Sequence, residues 1–399
     1  MPGAIANPTL QADYGQEGLA AGADGRRVAL VTDIPTPYML EVLKALGTLV
    51  DLTVVFCAQT GSRGMPWAPG EELPFEHHVI DGLALRSEAP DRPDYYLSPR
   101  VLGALARCRA EAVISFGFSI PTAYAAMYCR LRRAPLIIYS DGTSDYESGL
   151  GRHQRIARAV LLRAASGCVA LSKPAAARFV ELGVRPQRVF LAPHSSTLDR
   201  LWRIAEEREY GPGEEITVLT AGRLVRHKGV DRLLGAAAEA RRRYPGLRLV
   251  VVGTGPEEER LRQLAAELEL DVEFAGFVDH SEMPERYAEA DVFAFPTLDD
   301  PFGIVLLEAA AAGLPLVASH HAGAAWDLIT GPQDGLIVDP SDTEAFAGAL
   351  SGLAQDPAQR RALGQRAHAA TLGRSPLDSA RGYAAAVEAT IRDRGRAKR

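Results

Sequence analysis

Two short stretches in the second half of this 399-residue chain gather side chains that suit the handling of an anion. The first is Gly222-Arg223-Leu224-Val225-Arg226-His227-Lys228-Gly229. It follows an apolar run, Ile216–Ala221, and precedes a helical pattern beginning at Val230. A strand, a glycine turn and a helix start present unpaired backbone N–H groups to an anion. Arg223 and Lys228 add two positive charges to the same loop. Together these groups can hold a diphosphate and stabilise it as it leaves. The alternative is a solvated basic loop.

The second stretch is Asp299-Asp300-Pro301-Phe302-Gly303-Ile304-Val305-Leu306-Leu307-Glu308. It follows the apolar run Val292–Pro296, and a helix is expected from Ile304. Gly303 permits close approach of backbone to a ligand. Asp300 stands at the mouth of the loop. Glu308 lies about one turn into an otherwise apolar helix, where a carboxylate needs a partner. A ribose diol would serve, donating two hydroxyls to one carboxylate; so would a local basic side chain in the core.

The elements that must position these loops follow a regular alternation. In the first half, apolar runs at Val28–Asp33, Leu52–Cys57, Ala112–Gly117, Pro135–Asp141, Cys168–Ser172 and Val189–Pro193 alternate with helical patterns such as Tyr38–Leu46, Pro99–Cys108 and Arg152–Ala165. In the second half, strands are expected at Ile216–Ala221, Leu247–Gly253, Val272–Phe277, Val292–Pro296, Pro315–Ser319 and Gly335–Val338. Helices are expected there at Val230–Tyr244, Glu257–Leu270, Ile304–Ala312 and Thr343–Ala354. Strands without polar alternation suit sheets covered on both faces, and alternating β and α units suit a parallel, doubly wound sheet. The fold class is therefore α/β, with two Rossmann-like domains expected to face each other across a cleft. The expected divisions are a flexible tail at 1–25, a first Rossmann-like domain at 26–204, a second at 216–373, and a C-terminal helix with a basic tail at 374–399. The polar stretch Ala205–Glu215 is the linker candidate.

Taken together, the two loops resemble those of glycosyltransferase family 4, a retaining family of GT-B fold. Residues Gly222–Gly229 match its G-R-L-x-x-x-K-G loop, and Asp300–Glu308 match its E-x-F-G-x-x-x-x-E signature with Asp in place of the first Glu. Val252-Gly253-Thr254-Gly255-Pro256 resembles its V-G-x-G-P turn, Gly276-Phe277-Val278 its base-binding G-x-V segment, and Ala311–Pro315 its A-x-G-x-P. The resemblance is close over residues 216–355. It implies that Arg223 and Lys228 hold a diphosphate, with Gly222 in the same loop, and that Glu308 holds the ribose. It also implies that Gly276 and Val278 border the base. The peptide N–H groups around Phe302, Gly303, Ile304 and Val305 would meet the sugar or distal phosphate, and Asp300 the sugar hydroxyls. The implied reaction retains configuration through front-face attack, with Asp300, Arg223 and Lys228 as the catalytic set. No D-x-D triplet occurs, so the expected site uses no metal and no cofactor beyond the nucleotide-sugar donor.

The first half departs further from the family. Where many members have a Gly-Gly turn, this chain has Asp33-Ile34-Pro35-Thr36-Pro37-Tyr38. Ser140-Asp141-Gly142 replaces the usual His, and Pro193-His194-Ser195-Ser196 stands where P-N-G is common. Thr36, Tyr38, Asp141 and His194 are the acceptor-side candidates. Thr36 also suits an N-cap before Pro37 at the first helical position. Asp141 also suits a turn cap, and a lone His at a strand end is often structural.

Composition frames the partners. The net charge of −6 divides into +5 over residues 26–200, −8 over 201–399 and −3 in the tail. A basic first half suits an acidic acceptor or an anionic membrane surface, and nothing calls for nucleic acid. Arg152, Arg155, Arg158 and Arg163 share one side of a helical wheel, with Ile156, Ala157, Val160 and Leu161 on the other. Such a helix can lie on an anionic bilayer, or simply bury its apolar face against a sheet. The four cysteines form no C-x-x-C pair and fit reduced, mostly buried thiols in the cytoplasm. The expected activity is sugar transfer to a glycan or lipid-linked acceptor in polysaccharide or glycolipid assembly, at the inner face of the membrane if peripheral. A GT-B nucleotide-sugar epimerase and a non-catalytic nucleotide-sugar-binding relative are the alternatives. A dinucleotide oxidoreductase is disfavoured, because Gly253-Thr254-Gly255-Pro256-Glu257-Glu258 lacks the third glycine of G-x-G-x-x-G and sets two carboxylates at the helix start.

Overall fold

The computed structural model describes residues 25–58, 72–80, 83–85, 95–211 and 215–397. The tail expected at 1–25 lies, except for Gly25, outside the described residues, as do Pro212 and Gly213 of the linker candidate. The chain divides into two compact units. One holds the described residues up to Ser196 together with those from Arg374 onward; the other is Thr197–Gly373. No helix among the described residues is long and apolar enough to cross a membrane.

The first unit is built on a seven-stranded parallel sheet. In chain order its strands are β1 (Arg27–Thr32), β2 (Asp51–Phe56), β3 (Glu76–Val79), β6 (Ala112–Phe116), β7 (Leu136–Ser140), β8 (Gly167–Ala170) and β9 (Val189–Leu191). They lie in the order β3-β2-β1-β6-β7-β8-β9. A small antiparallel pair, β4 (Leu83–Leu85) and β5 (Tyr95–Leu97), stands apart from it. The helices are α1 (Pro37–Gly47), α2 (Arg100–Cys108), α3 (Ile120–Arg132), α4 (Arg152–Ala164) and α5 (Lys173–Glu181). The central strands are buried almost throughout: Leu30, Val54, Ile114 and Ile137 have no exposed surface, as expected for strands covered on both faces.

The second unit begins with α6 (Asp199–Glu207) and carries a six-stranded parallel sheet: β10 (Ile216–Ala221), β11 (Leu247–Val252), β12 (Val272–Gly276), β13 (Val292–Phe295), β14 (Leu316–Ser319) and β15 (Leu336–Val338). Its order is β12-β11-β10-β13-β14-β15. The helices after α6 are α7 (Val230–Arg243), α8 (Glu258–Glu267), α9 (Met283–Glu289), α10 (Ile304–Ala311), α11 (Gly323–Leu328), α12 (Thr343–Gln355) and α13 (Pro357–Ala369). Each sheet thus runs outward in two directions from a central pair, β1/β6 in one and β10/β13 in the other. Ligands of doubly wound sheets bind beyond the carboxyl ends of the strands at that switch point.

Two features depart from the divisions read in the sequence. The first falls in the polar stretch from Ala205. Its opening residues complete α6, whose Trp202 Nε1 donates to Thr371 Oγ1 at 2.9 Å, and within the stretch Arg208 Nε donates to Ala312 O at 2.8 Å. Those bonds attach the stretch to the second unit, so the divide falls earlier, at Ser196/Thr197. The second is the last helix, α14 (Pro376–Ala397), which returns to the first unit. There it buries Ala380, Tyr383, Ala386 and Val387 among residues of β1, β6 and β7.

The basic helix α4 also differs from its helical-wheel reading. Arg158 turns inward and binds Glu147 Oε1 at 3.1 Å, while Arg178 holds the other oxygen at 2.9 Å. Glu147 is buried, so its charge needs both partners. Leu161 is covered, but Ile156 and Val160, which a sheet-packed helix would hide, are 55% and 56% exposed.

Candidate functional site

The site in the second unit grows from β10 and β13, neighbours in the sheet through Val218↔Val292 and Leu219↔Phe293. The loop leaving β10 is tied beneath by the turn after β11: Gly222 N donates to Val252 O at 3.0 Å, and Leu224 N to Thr254 O at 3.0 Å. This contact makes the V-G-x-G-P turn the floor under the basic loop. A 3₁₀ turn at Arg226–Lys228 then brings the chain to Gly229, at φ 66°. A Cβ on Gly229 would stand 2.2 Å from Pro296 O, so only glycine lets the β10 and β13 loops close on each other there. Leu298 N and Thr297 Oγ1 both donate to His227 O, at 2.7 and 3.1 Å.

That closure places Lys228 Nζ 2.6 Å from Asp300 Oδ2. Asp300 is held from its other oxygen as well, since Oδ1 accepts the Phe302 N–H at 3.0 Å. The backbone around it is strapped to the loop after β14. Asp300 N donates to His321 O at 3.3 Å, Gly323 N to Asp300 O at 3.0 Å, and Ala324 N to Phe302 O at 2.8 Å. Gly303, at φ 88°, is the N-cap of α10, so the first turn of α10, with Ile304 and Val305 partly buried, begins immediately beyond Asp300. Phe302 is buried beneath the loop. Arg223 and Lys228 line one small concavity with Gly222, Thr220 and Phe295.

Glu308 has found protein partners. It is 4% exposed on a helix whose other interior positions are all apolar. Its Oε2 accepts the Tyr287 hydroxyl at 2.9 Å, and Oε1 lies 3.7 Å from Nδ1 of His280. Tyr287 is fully buried. Burial first, and then the Glu308 carboxylate, push its hydroxyl pKa well above the ordinary value, so it remains a donor. One oxygen is therefore fixed by a neutral donor, and the other points toward the loop after β12. β12 ends at Gly276, at φ 69°, and the loop carries the half-buried Val278 and the 60%-exposed Phe277. The sequence reading allowed for a local basic partner; His280 fits that description, and Tyr287 was not foreseen. The strap from His321 to Ala324 was likewise missed, because its contacts are backbone to backbone.

In the first unit, three of the four acceptor-side candidates come together. Asp141 follows β7, and its Oδ2 is 3.8 Å from His194 Nε2, just past β9. His194 in turn meets the Tyr38 ring edge-on at 5.9 Å. The His194 N–H donates to Leu171 O at 2.9 Å, which fixes the backbone beside β8. Below them, burial and secondarily Asp141 push the Tyr383 hydroxyl pKa well above normal. Asp141 does not cap the turn at Gly142; that N–H is taken by Ser140 Oγ at 3.0 Å. Thr36 occupies the N-cap of α1 with Pro37 behind it, yet its hydroxyl makes no capping hydrogen bond.

Comparison with known proteins bears on this arrangement. A model of the family described as glycosyl transferases group 1 matches residues 204–370. A GDP-mannose-dependent alpha-(1-6)-phosphatidylinositol monomannoside mannosyltransferase of Mycobacterium tuberculosis (strain CDC 1551 / Oshkosh) is 35% identical over 266 residues, covering 62% of this chain and 68% of that protein. The chain belongs to the glycosyl transferases group 1 family. A protein of the same description from Mycolicibacterium smegmatis is 38% identical over 171 residues, 41% of this chain, and the match spans only 44% of that relative. Among solved structures, Anabaena Alr3699/HepE in complex with UDP and glucose aligns with a TM-score of 0.68 at 18% identity, over 93% of this chain and 98% of that one. At that identity the likeness speaks for fold, and it places the two Rossmann-like units in the GT-B class. The family assignment agrees with the loops after β10 and β13, which lie inside the matched span.

Proposed function

We propose that this chain transfers a sugar from a nucleotide-diphosphate sugar to an acceptor hydroxyl with retention of configuration. The observation that carries the reading is the Lys228–Asp300 pair at the β10/β13 switch point, beside Arg223 and the start of α10. A lysine ammonium has three donors, so Lys228 can keep Asp300 on one and offer the others to phosphate oxygens. Arg223 supplies a second cation, and the start of α10 at Ile304 and Val305 suits the distal phosphate, while the Phe302 N–H, expected to serve there too, is taken by Asp300. These groups meet the charge that develops on the leaving diphosphate, so the reaction calls for no metal and no cofactor. Glu308 takes a ribose hydroxyl on Oε1 while Tyr287 fixes Oε2. Gly276 and Val278 border the base.

In the step itself, the bond from the anomeric carbon to the diphosphate oxygen breaks. A bond to the acceptor oxygen forms on the same face, and the acceptor proton passes to the departing phosphate. Asp300 accepts from sugar hydroxyls and holds Lys228 in place. The Tyr38, Asp141 and His194 cluster offers a ring edge, a carboxylate and an imidazole for acceptor hydroxyls, with Thr36 at the same helix start. The acceptor is a glycan or a lipid-linked saccharide; the names of the mycobacterial relatives support the second and make GDP-mannose the first donor to try.

The test is a panel of UDP-, GDP- and ADP-sugars against glycan and lipid-linked acceptors, with NMR of the product's anomeric centre. Retained configuration with one nucleotide class is the expected result. An inverted product, or donor epimerisation without transfer, would overturn the reading.

A further inference from the structure

The outer surface of the first unit carries a second feature, unrelated to the nucleotide loops. Helices α3 and α4 pack against each other. From Ile120 to Arg133 and from Arg152 to Ala164 the sequence contains no Asp or Glu. Arg130, Arg132, Arg133, Arg152, Arg155 and Arg163 are all exposed there. The same two helices expose Met127 at 45%, Leu131 at 75%, Ile156 at 55% and Val160 at 56%. Each pair is spaced i,i+4, so each helix presents a continuous apolar strip.

Exposed apolar side chains scattered singly are ordinary, but an exposed apolar pair one turn apart on each of two packed helices is less so. Their setting narrows the occupant. Arginine stems can lie along an apolar surface while their heads reach outward to phosphates. Six exposed arginines with no carboxylate on either helix complement a negative plane, whereas a protein partner generally presents both signs. We propose that the α3–α4 surface seats the first unit on an anionic lipid bilayer. Met127, Leu131, Ile156 and Val160 enter the acyl boundary, and the surrounding arginines bind lipid phosphates. The proposal needs neither the donor assignment nor the acceptor assignment.

Co-flotation with vesicles tests it, using phosphatidylcholine alone and phosphatidylcholine with phosphatidylglycerol. The full chain is expected to float with the anionic vesicles only, and less so as salt rises. Leu131→Asp combined with Ile156→Asp should cut the bound fraction about tenfold or more, and Arg130→Gln with Arg152→Gln should also weaken it. Both variants should keep wild-type nucleotide affinity, which separates this test from the one for the donor site. As a second measurement, Ile156→Trp should shift its fluorescence to the blue on anionic vesicles. No flotation with anionic vesicles would overturn the proposal, as would flotation that ignores the aspartates. Self-association removed by those aspartates, without lipid binding, would reassign the face to a second copy of the chain.

Discussion

Lys228 and Asp300 form a largely covered ion pair before any substrate arrives, at 2.6 Å and with side chains 20% and 12% exposed. The ammonium is already oriented by Asp300, so under the proposed function a diphosphate would join an existing array. Asp300 stands where the family signature that this loop resembles has Glu. Both of its oxygens are engaged within the loop, one by Phe302 N and one by Lys228. The other carboxylate, Glu308, depends on Tyr287. Tyr287→Phe removes the donor to Oε2 and leaves a buried acceptor short of a partner, at a cost of about 1–3 kcal/mol. The expected outcome is a lower melting temperature and about tenfold weaker nucleotide binding, measured by calorimetry. Unchanged affinity would mean that Glu308 does not meet the nucleotide. The carboxylates themselves were legible as a polar residue in an apolar helix and a charged residue before a glycine. Tyr287 lies 21 positions before Glu308 on another helix, and no local pattern links the two.

At the scale of elements, apolar composition decided what could be read. Twelve strands were legible because each is a mainly apolar run flanked by turns, the central ones buried on both faces of a parallel sheet. The strand Glu76-His77-His78-Val79 escaped notice because it is a polar edge strand with little cover. The polar stretch from Ala205 reads as a linker, but its first residues finish an amphipathic helix that packs on the second unit. Loop closure is a property of this scale too. Gly229→Ala would force a Cβ against Pro296 O at a left-handed φ, pushing the β10 and β13 loops apart. The expected result is loss of most nucleotide binding with the melting temperature lowered by several degrees. Normal binding by that variant would show that the two loops need not close.

At the scale of the whole molecule, the last helix belongs with the first unit, which no composition or spacing announces. Tyr383 is 1% exposed and meets the Tyr139 ring edge-on at 5.5 Å. Tyr383→Ala should destabilise the first unit by about 3–5 kcal/mol. Hydrogen exchange should quicken in β7 to β9 and stay slow in β10 to β14; uniform change would contradict the assignment of α14 to one unit. Three thiols add a pH dependence. Burial raises the pKa of Cys129 and of Cys168 from 9.0 to about 12, and raises Cys57 further. Folding keeps these thiols neutral, so their contribution to stability is complete below 9.0 and drains away as pH rises toward about 12. Melting temperature should therefore fall steeply through that alkaline range, and less steeply in a Cys129→Ser, Cys168→Ser variant.

Under the proposed function, the switch-point loops of the second unit hold the diphosphate of a nucleotide sugar on protein cations. Calorimetric titration of UDP-, GDP- and ADP-sugars into wild type and Lys228→Ala, with and without EDTA, tests it most directly. One nucleotide class should bind, EDTA should leave that binding unchanged, and Lys228→Ala should lose it along with about 100-fold or more in turnover. Binding that survives Lys228→Ala intact, or that disappears with EDTA, would contradict it.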